Sequence, residues 1–159
     1  MSSIPRATHL RVAAKALIRK GDSLLVVEYE DEEGSWYILP GGRVEPGETL
    51  PQALRRECME ELETKVEVGD ACFIREYIAD NHEFFAEWTA GVHHLDLVFR
   101  CELIDPSYDP AEIRPSGRIE KSIQWIELAL LRTRRFHPPQ LLDALSAPTA
   151  SLVYLGDVR

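Results

Sequence analysis

Long apolar runs are missing from this chain, and its N-terminus lacks the basic-then-apolar pattern of a secretory signal. A membrane-spanning helix needs about 20 consecutive apolar residues. We therefore expect a cytoplasmic protein with no membrane partner. Cysteine is also scarce: Cys58, Cys72 and Cys101 form an odd set without the paired spacing of a metal site. Reduced thiols are the expectation for such cysteines.

Positive charge is in short supply as well. Lys and Arg total 18 against 27 Asp and Glu, which gives a formal net charge of −9. Because nucleic acids and anionic membranes attract basic surfaces, this balance argues against either as the main partner. The chain also contains no repeat, low-complexity tract or interdomain linker. With 45% hydrophobic and 28% charged residues, positions 1–159 are expected to form a single globular domain.

A well-signalled helix follows a glycine-rich turn in the stretch GRVEPGETLPQALRRECMEELET, residues 42–64. Thr49 and Gln52 have the spacing of a capping box, in which each side chain bonds the backbone N–H of the other residue. Pro51 lies in the first turn, where its missing N–H leaves no hydrogen bond unmade. The pattern predicts a helix that begins directly after Thr49.

Three carboxylates lie on one side of this predicted helix. Glu57, Glu60 and Glu61 are spaced i, i+3 and i+4, so they are neighbours on the helix surface and repel one another. Clusters of oxygen ligands are typical of sites for hard divalent cations such as Mg2+. A solvated acidic face is the alternative. On a helical wheel Leu50 and Ala53 project into the same sector as the acids, which favours the wall of a cleft.

The spacing of these residues resembles a known family motif. The matching groups are Leu39-Pro40-Gly41-Gly42, Glu45, Gly47-Glu48, Arg56-Glu57 and Glu60-Glu61. They are similar to the Nudix box, G-x5-E-x7-R-E-U-x-E-E-x-G-U, where U is a bulky apolar residue. Gly42, Glu48, Arg56, Glu57, Glu60 and Glu61 fill its fixed positions, and Cys58 stands at the first U. A pattern this long and gapped is far more specific than a single glycine motif.

Two positions depart from the family pattern: Glu63 replaces the box glycine and Thr64 replaces an apolar residue. The family glycine closes the helix in a left-handed conformation, which should cost glutamate on the order of 1 kcal/mol. Alternatively the helix runs one residue further and ends differently. Glu63 lies off the face of the three acids, so the substitution affects the following loop more than a metal site.

The resemblance implies a chemistry and a set of ligands. Nudix hydrolases cleave a nucleoside diphosphate linked to another group by water attack on a phosphorus of the pyrophosphate. By this resemblance Glu57, Glu60 and Glu61 bind Mg2+ or Mn2+, with the Gly41 carbonyl as a further donor. Gly42 belongs to the same turn. Such cations would offset the repulsion between a polyanionic substrate and this acidic protein.

Supporting and catalytic residues follow from the same comparison. Arg56 and Glu48 should form the shell that holds Glu57 in place. The family takes its general base from the box or from a later loop. Glu120, in GRIEKSIQWIEL, is our downstream candidate, with Glu112 and Asp109 as competitors in the same polar connection. An ordinary surface carboxylate remains the alternative for each.

The fold expected from these patterns is α/β: an α/β/α sandwich of the Nudix type with a mixed β-sheet. Strands are predicted at residues 10–18, 23–28, 36–38, 66–79, 94–103 and 122–126, and further helices at 128–133 and 139–145. The first two strands join through the turn at Lys20-Gly21-Asp22. Similarity to the family pattern extends from about Val12 to Leu131.

Several aromatic and histidine residues have more than one interpretation. Phe84, Phe85 and Trp88 in the connection 81–93 could stack on a base, form a homodimer contact or fold onto the core. His93 and His94 are adjacent in a strand and point to opposite faces, so one ion cannot easily bind both. His94 is expected in the core or a loop. Trp36 and Tyr37 are expected to be packing residues.

The substrate class stays open at this point. Nudix ADP-ribose pyrophosphatases usually carry a proline shortly after the box, and this chain has none between Pro51 and Pro106. The resemblance therefore favours a nucleotide sugar or a modified nucleoside triphosphate as the small-molecule partner. A non-catalytic Nudix-fold module that binds a nucleotide or acts in regulation is the alternative, although such modules generally lose box carboxylates. A calcium-binding structural domain is disfavoured, because the loop with alternating Asp and Asn ligands is absent.

Overall fold

The fold consists of strands and helices in a computed structural model that describes residues 10–82, 91–114, 120–147 and 151–159. In these residues the strands are β1 Leu10–Lys20, β2 Ser23–Asp31, β3 Gly34–Ile38, β4 Gly41–Arg43, β5 Val66–Ile78, β6 His93–Leu103, β7 Glu120–Glu127 and β8 Val153–Asp157. The helices are α1 Leu50–Leu62, α2 Leu128–Leu131 and α3 Pro139–Ser146, with short 3-10 turns at Ala79–Asn81 and Pro110–Glu112.

The strands form a mixed sheet. Its main order is β3-β2-β1-β6-β5-β8, with β4 paired to β1 and β7 paired to β2. β1 runs parallel to β6 and β5 runs parallel to β8, whereas the other pairs are antiparallel. Both β4 and β7 therefore leave the main path and bring their ends towards α1.

The core lies on both faces of this sheet because β1 and β2 alternate their apolar side chains. On one face Ala14, Ala16, Ile18, Leu25 and Val27 pack with Leu54, Cys58 and Leu62 of α1. On the other face Leu17, Leu24 and Val26 pack with Leu131 of α2 and Leu141 and Leu142 of α3. The expected α/β/α sandwich is confirmed by these two layers. We call the two sides the α1 face and the α3 face.

The predicted elements are confirmed with small changes of boundary, apart from two strands that the patterns did not indicate. β4 occupies residues assigned to a glycine turn, and β8 was not expected at all. The helix expected at 128–133 ends earlier, at Leu131. The cysteines are free and buried, as predicted. In the ranges described above, no helix is long and apolar enough to cross a membrane.

Helix α1 begins and ends at identifiable caps. Thr49 accepts a hydrogen bond from the Gln52 N–H, and the Gln52 side chain accepts one from the Thr49 N–H, so the predicted capping box is confirmed. At the other end Glu63 has φ 55° and ψ 32°, the left-handed conformation. The alternative of a longer helix is therefore wrong. The Tyr108 hydroxyl donates to the Leu62 carbonyl at 3.0 Å and satisfies one terminal acceptor.

Candidate active site

The loop that runs from Gly41 to the start of α1, called the box loop, packs against strand β1 through its first residues. Gly41 and Gly42 pair with Lys15 and Ala14, and Gly41 has a φ of 129°. A Cβ atom at Gly41 would collide with the Ala14 carbonyl oxygen and lie 2.9 Å from the Lys15 Cα. Glycine is required here both for the positive φ and for the close approach of two backbones. This contact fixes the loop at the N-terminal side of α1.

Gly42 is required for a different reason. A Cβ atom at this position would lie 2.5–2.7 Å from the carboxylate atoms of Glu57. The missing side chain of Gly42 is therefore the space that the Glu57 carboxylate occupies. This contact between loop and helix sets the position of the first acid of the predicted ligand set.

Arg56 organises the acidic side chains around it. Its Nε and Nη2 donate to the two carboxylate oxygens of Glu48 at 2.6 and 2.9 Å, and Nη2 also donates to the Arg43 carbonyl at 2.9 Å. Its Nη1 donates to Glu57 at 3.0 Å. The guanidinium holds the pKa of the Glu48 carboxyl at about 2, with a backbone bond from Glu45 adding to this effect. Arg56 thus contacts Glu57 and Glu48 at the same time, and the supporting role of these two residues stays a prediction.

The three helix acids have different surroundings. Glu60 is the most open, with 60% of its side chain exposed, and its Oε2 lies 3.4 Å from the Arg56 Nη1. Glu57 is largely enclosed between Arg56 and the loop. Across the described parts of the chain, no three His, Cys, Asp or Glu side chains are grouped so as to hold a metal ion as they stand. For a shared cation, Glu57 and Glu60 have to turn from the guanidinium towards Glu61.

Glu61 is half-buried beneath the loop. Its Oε1 accepts the Gly41 N–H at 3.1 Å, so this residue too is tied to the loop. Burial raises the pKa of the Glu61 carboxyl to about 7, and the charges of Glu120 and Glu57 add to the rise. Lys15 and the Gly41 N–H act in the opposite direction. Loss of contact with water is therefore the main reason that this carboxyl holds its proton more tightly, and the two neighbouring acids add a smaller effect.

Glu120 lies at the start of β7, close to the box. Its Oε1 accepts the hydroxyl of Tyr29 at 3.4 Å. Burial raises the pKa of the Tyr29 phenol, and the charges of Glu61, Glu120 and Glu57 raise it further. All three carboxylates therefore act on the phenol through their charge, and Glu120 also contacts it directly. The structure therefore brings Glu120 together with two of the box acids.

The two competitors of Glu120 have other positions. Asp109 is exposed and accepts the Ala111 N–H at 2.9 Å as the cap of a 3-10 turn. Glu112 is exposed within the same turn. Neither residue is among the charges that act on Tyr29 or Glu61. Glu120 remains the best candidate for a base that lies outside the box.

A cavity of about 680 Å³ opens beside the loop. Gly42, Lys15 and Trp36 line it near the box, and the α3 face lines the rest through residues such as Leu141 and Val98. Gly42 is thus shared by the cavity and by the contact with Glu57. A volume of this size suits a nucleotide-sized ligand.

The cavity is rich in positive charge although the chain is acidic. Six basic side chains line it, against two acidic ones: Arg11, Lys15, Arg43, Arg75, Arg135 and Arg159, with Asp31 and Asp96. Arg75 bonds Asp96 at 2.9 Å, and Arg135 bonds Asp31 at 2.9 Å through each of two nitrogens. The positive excess therefore lies mainly on β1 and β4, next to the loop.

Histidine and aromatic residues near the cavity match most expectations. His94 is half-buried and meets the Tyr77 ring edge-on at a centroid distance of 6.4 Å, whereas His93 bonds Glu76 at 2.8 Å. The adjacent histidines thus have different partners, and His94 lies half-buried in strand β6 instead of in the core or a loop. Tyr37 is a packing residue with 3% exposure. Phe84, Phe85 and Trp88 lie outside the described residues.

The sequence analysis did not identify Tyr29 or Lys15 as residues near the candidate site, and it treated Trp36 only as a packing residue. Trp36 lines the cavity and stacks on Tyr29 at 4.6 Å, so it links the cavity with the ring beside Glu120. The charge of Lys15 acts on Glu61 from the middle of β1. A single cation within the apolar stretch 12–18 was the available signal for Lys15. Nothing in the local sequence distinguishes Tyr29 from a packing residue.

Comparison with known proteins tests the resemblance to the Nudix family independently of the site geometry. A family model described as the NUDIX domain matches residues 9–145. The chain is 30% identical over 135 residues to the 8-oxo-dGDP phosphatase NUDT18 of Homo sapiens, a match that covers 82% of this chain and 42% of that protein. It is 29% identical over 102 residues to the NAD-capped RNA hydrolase NudC of Pectobacterium carotovorum, covering 63% of this chain and 35% of that protein.

The chain therefore spans less than half the length of these curated relatives. Among solved structures, a NUDIX hydrolase from Nitrosomonas europaea superposes with a TM-score of 0.67 at 22% identity, over 87% of each chain. At this identity the superposition concerns the fold alone.

Proposed function

The chain belongs to the Nudix family, and from this premise we propose that it is a divalent-metal-dependent hydrolase. It would cleave the pyrophosphate linkage of a nucleoside diphosphate joined to another group. A nucleotide sugar or a modified nucleoside triphosphate is the favoured substrate. We further propose that residues 1–159 act as one domain in the cytoplasm, without a nucleic-acid or membrane partner.

The observation that carries this proposal is the half-buried carboxylate of Glu61, which is tied to the Gly41 N–H at 3.1 Å and lies close to Glu57 and Glu120. Its pKa is raised to about 7 by burial, with Glu120 and Glu57 contributing, while Lys15 compensates only in part. Buried charges in proteins are normally paired or bind metals. A set of carboxylate oxygens with excess negative charge fits a hard divalent cation, so the donor chemistry supports Mg2+ or Mn2+.

The residues that would hold the cation are Glu57, Glu60, Glu61 and the Gly41 carbonyl. A bound divalent cation supplies positive charge to phosphate oxygens and lowers the pKa of nearby water. Arg56 orients Glu57 through a charge-assisted hydrogen bond of 3.0 Å, and Glu48 fixes the guanidinium in turn.

The protein's own groups account for the remaining chemistry. Glu120 would accept a proton from water on a carboxylate oxygen as the water oxygen bonds to phosphorus and the phosphorus–oxygen bond to the leaving phosphate breaks. The Tyr29 hydroxyl, 3.4 Å from the Glu120 Oε1, orients that carboxylate. Arg11, Lys15 and Arg43 line the cavity beside the loop and would attract the anionic substrate.

Hydrolysis can be tested directly with a substrate panel. We expect release of phosphate, detected after added pyrophosphatase or phosphatase, from at least one nucleoside diphosphate derivative in the presence of Mg2+ or Mn2+. The panel should contain nucleotide sugars and modified nucleoside triphosphates. It should also contain 8-oxo-dGDP and NAD-capped RNA, which the names of the relatives suggest. Failure on every compound would favour the non-catalytic binding module.

Replacing one acid tests the ligand set. Glu60→Gln should lower turnover by at least roughly 100-fold, the upper end of losses seen for residues that only support metal ligands. The fold should stay intact, because 60% of the Glu60 side chain is exposed and its contact with Arg56 is long, at 3.4 Å. Glu63→Gln, an exposed carboxylate three residues later, is the matched control and should keep its activity. Unchanged turnover in Glu60→Gln would reject its role.

A further inference from the structure

Two neighbouring rungs of the sheet connect β3, β2 and β7. In one rung Glu28 of β2 lies between Tyr37 of β3 and Ser122 of β7. In the next rung Tyr29 lies between Trp36 and Glu120. Successive side chains in a strand point to opposite faces, so the two rungs face opposite layers. Tyr37 packs on the α3 face and Tyr29 on the α1 face.

A β-bulge decides which face Glu120 reaches. In β7, Ile126 lies on the α3 face and Ile123 on the α1 face, so even-numbered residues belong to the α3 face. Strict alternation would therefore send Glu120 to the α3 face, away from the box. The pairing skips Lys121, because Glu28 pairs with Ser122 and Tyr29 pairs with Glu120. The extra residue reverses the alternation and turns Glu120 towards Tyr29.

Glu28 contacts the bulged residue and the part of β7 that directly follows it. Its Oε2 accepts the Ser122 hydroxyl at 2.5 Å and the Gln124 amide at 2.7 Å, and its Oε1 accepts the Tyr37 hydroxyl at 3.3 Å. The Lys121 Nζ lies 3.7 Å from the same Oε1. The bulged residue Lys121 and the two polar residues that follow it on the same face are thus held by one carboxylate.

The environment of Glu28 is unusual for a packing position. The residue is only 6% exposed, and a buried carboxylate is unfavourable unless donors satisfy it. Burial by itself would raise the pKa of Glu28, but the bonds from Ser122 and other donors outweigh this and lower it. Leu24 and Val26 fill the preceding positions on the same face with apolar side chains. Packing alone therefore does not require a carboxylate at this rung.

We infer that Glu28 is a positioning residue that fixes the β7 bulge and thereby directs Glu120 towards Tyr29 and the box acids. The inference rests on the proposed function of Glu120 as the base. It assigns a role to a side chain on the α3 face, across the sheet from the acids. Glu28 does not touch the substrate and acts only through the geometry of β7.

The kinetic test compares Glu28→Gln, Glu120→Gln and the double variant on whichever substrate the panel identifies. Glutamine keeps the size of Glu28 but introduces a donor beside the Gln124 amide. Glu28→Gln should lower kcat by roughly 10- to 100-fold, a fraction of the 10²–10⁴-fold worth of a general base. KM should change little. If Glu28 acts through Glu120, the double variant is no slower than Glu120→Gln alone, whereas independent effects would multiply.

Matched variants separate this role from a loss of fold. Ser122→Ala removes one hydrogen bond to Glu28 and leaves the buried charge of Glu28 in place. It should lower kcat in the same way as Glu28→Gln, but by a smaller factor. Glu30→Gln, an exposed neighbour that contacts Lys121 at 3.5 Å, should behave as the wild type. Wild-type kcat in both Glu28→Gln and Ser122→Ala would overturn the inference, as would effects of Glu28→Gln and Glu120→Gln that multiply in the double variant.

A structural readout keeps the inference separate from the proposed activity. In a crystal structure of Glu28→Leu, the β7 bulge should be lost or shifted, and Glu120 should leave the Tyr29 hydroxyl. A retained bulge, with Glu120 still about 3–3.5 Å from Tyr29, would overturn the positioning role even if no substrate is found. An inactive wild-type protein with the expected rearrangement in Glu28→Leu would instead reject the proposed hydrolysis alone.

Discussion

At the scale of single residues, the candidate site contains fewer positive side chains than carboxylates. Arg56 serves Glu48, Glu57 and Glu60 through one guanidinium, and Lys15 opposes the charge on Glu61. Each acid is thus partly compensated, and none is neutralised by a partner of its own. A divalent cation is the simplest additional partner for this excess.

A charge-removing variant of Glu61 makes this testable. Glu61→Gln keeps an oxygen for the Gly41 N–H and removes the half-buried charge that Glu57 and Glu120 oppose. We expect the metal-free variant to melt at a higher temperature than the wild-type protein, and its melting temperature to lose the increase caused by Mg2+ or Mn2+. Differential scanning calorimetry with and without the cation measures both.

The control for this experiment is Glu67→Gln, an exposed glutamate on β5. It should retain the full metal-dependent increase in melting temperature. A Glu61→Gln protein that responds to the cation as the wild type does would remove Glu61 from the ligand set.

At the scale of elements, helix α1 was predictable and two strands were not. The start of α1 follows from Thr49, Pro51 and Gln52, which act within one turn and need no distant partner. β4 consists of two glycines and an arginine, so only its close approach to Ala14 makes it a strand. β8 is short, and its parallel pairing with β5 is a contact between distant parts of the chain. Local patterns do not report such contacts.

The same distinction applies within the site. The box residues were identified by their spacing, which the helix converts directly into a shared face. The β7 bulge was not predictable, because it depends on the register between β2 and a strand about 90 residues later. Glu120 was therefore suggested by resemblance, whereas its contact with Tyr29 came only from the structure.

The end of α1 supports a prediction about stability. Glu63 is the only residue other than glycine with a positive φ among the described positions. Glu63→Gly should therefore stabilise the protein by about 1 kcal/mol, because glycine adopts φ 55° without the clash of a Cβ atom. Urea denaturation measures the free energy of unfolding. Glu67→Gly, in strand β5, is the opposite control and should destabilise by roughly 0.5–1 kcal/mol.

Destabilisation by Glu63→Gly would indicate that the Glu63 side chain makes a favourable contact that outweighs the backbone conformation. In that case the departure from the family glycine would be a gain for this protein. If Glu63→Gly stabilises the protein as expected, glutamate at this position lowers the free energy of unfolding by an amount that the fold tolerates.

At the scale of the whole molecule, charge is distributed unevenly. The chain carries a net charge of −9, yet six of the eight charged side chains that line the cavity beside the box are basic. His137 lies in this cavity wall, and its Nδ1 is buried without a hydrogen-bond partner among the described residues. Burial lowers the pKa of His137, Arg159, Arg135 and Arg75 lower it further, and Asp31 acts against them.

This environment predicts a pH dependence of stability. The folded protein keeps His137 neutral, whereas the unfolded chain takes up a proton near the ordinary pKa of 6.5. The contribution of His137 is therefore fully present above that value and is lost as the pH falls below it. The free energy of unfolding should drop less in His137→Gln than in the wild-type protein between about pH 7.5 and about pH 5.5.

Comparing the two proteins isolates this histidine from other titrating groups. Glu61 acts in the opposite direction, since its raised pKa favours the folded state as the pH falls, and His94 acts in the same direction as His137. Equal losses of stability in the wild-type protein and His137→Gln, measured by urea unfolding, would contradict the prediction.

Strand β2 carries Glu28 and Tyr29 side by side, one for each layer of the molecule. A single-residue insertion or deletion upstream in this strand would exchange the carboxylate and the phenol between layers and turn every apolar side chain of the strand with them. Length variation between homologues should consequently be absent from 23–29 and be tolerated at the exposed hairpin turn 32–33, where a change alters neither layer.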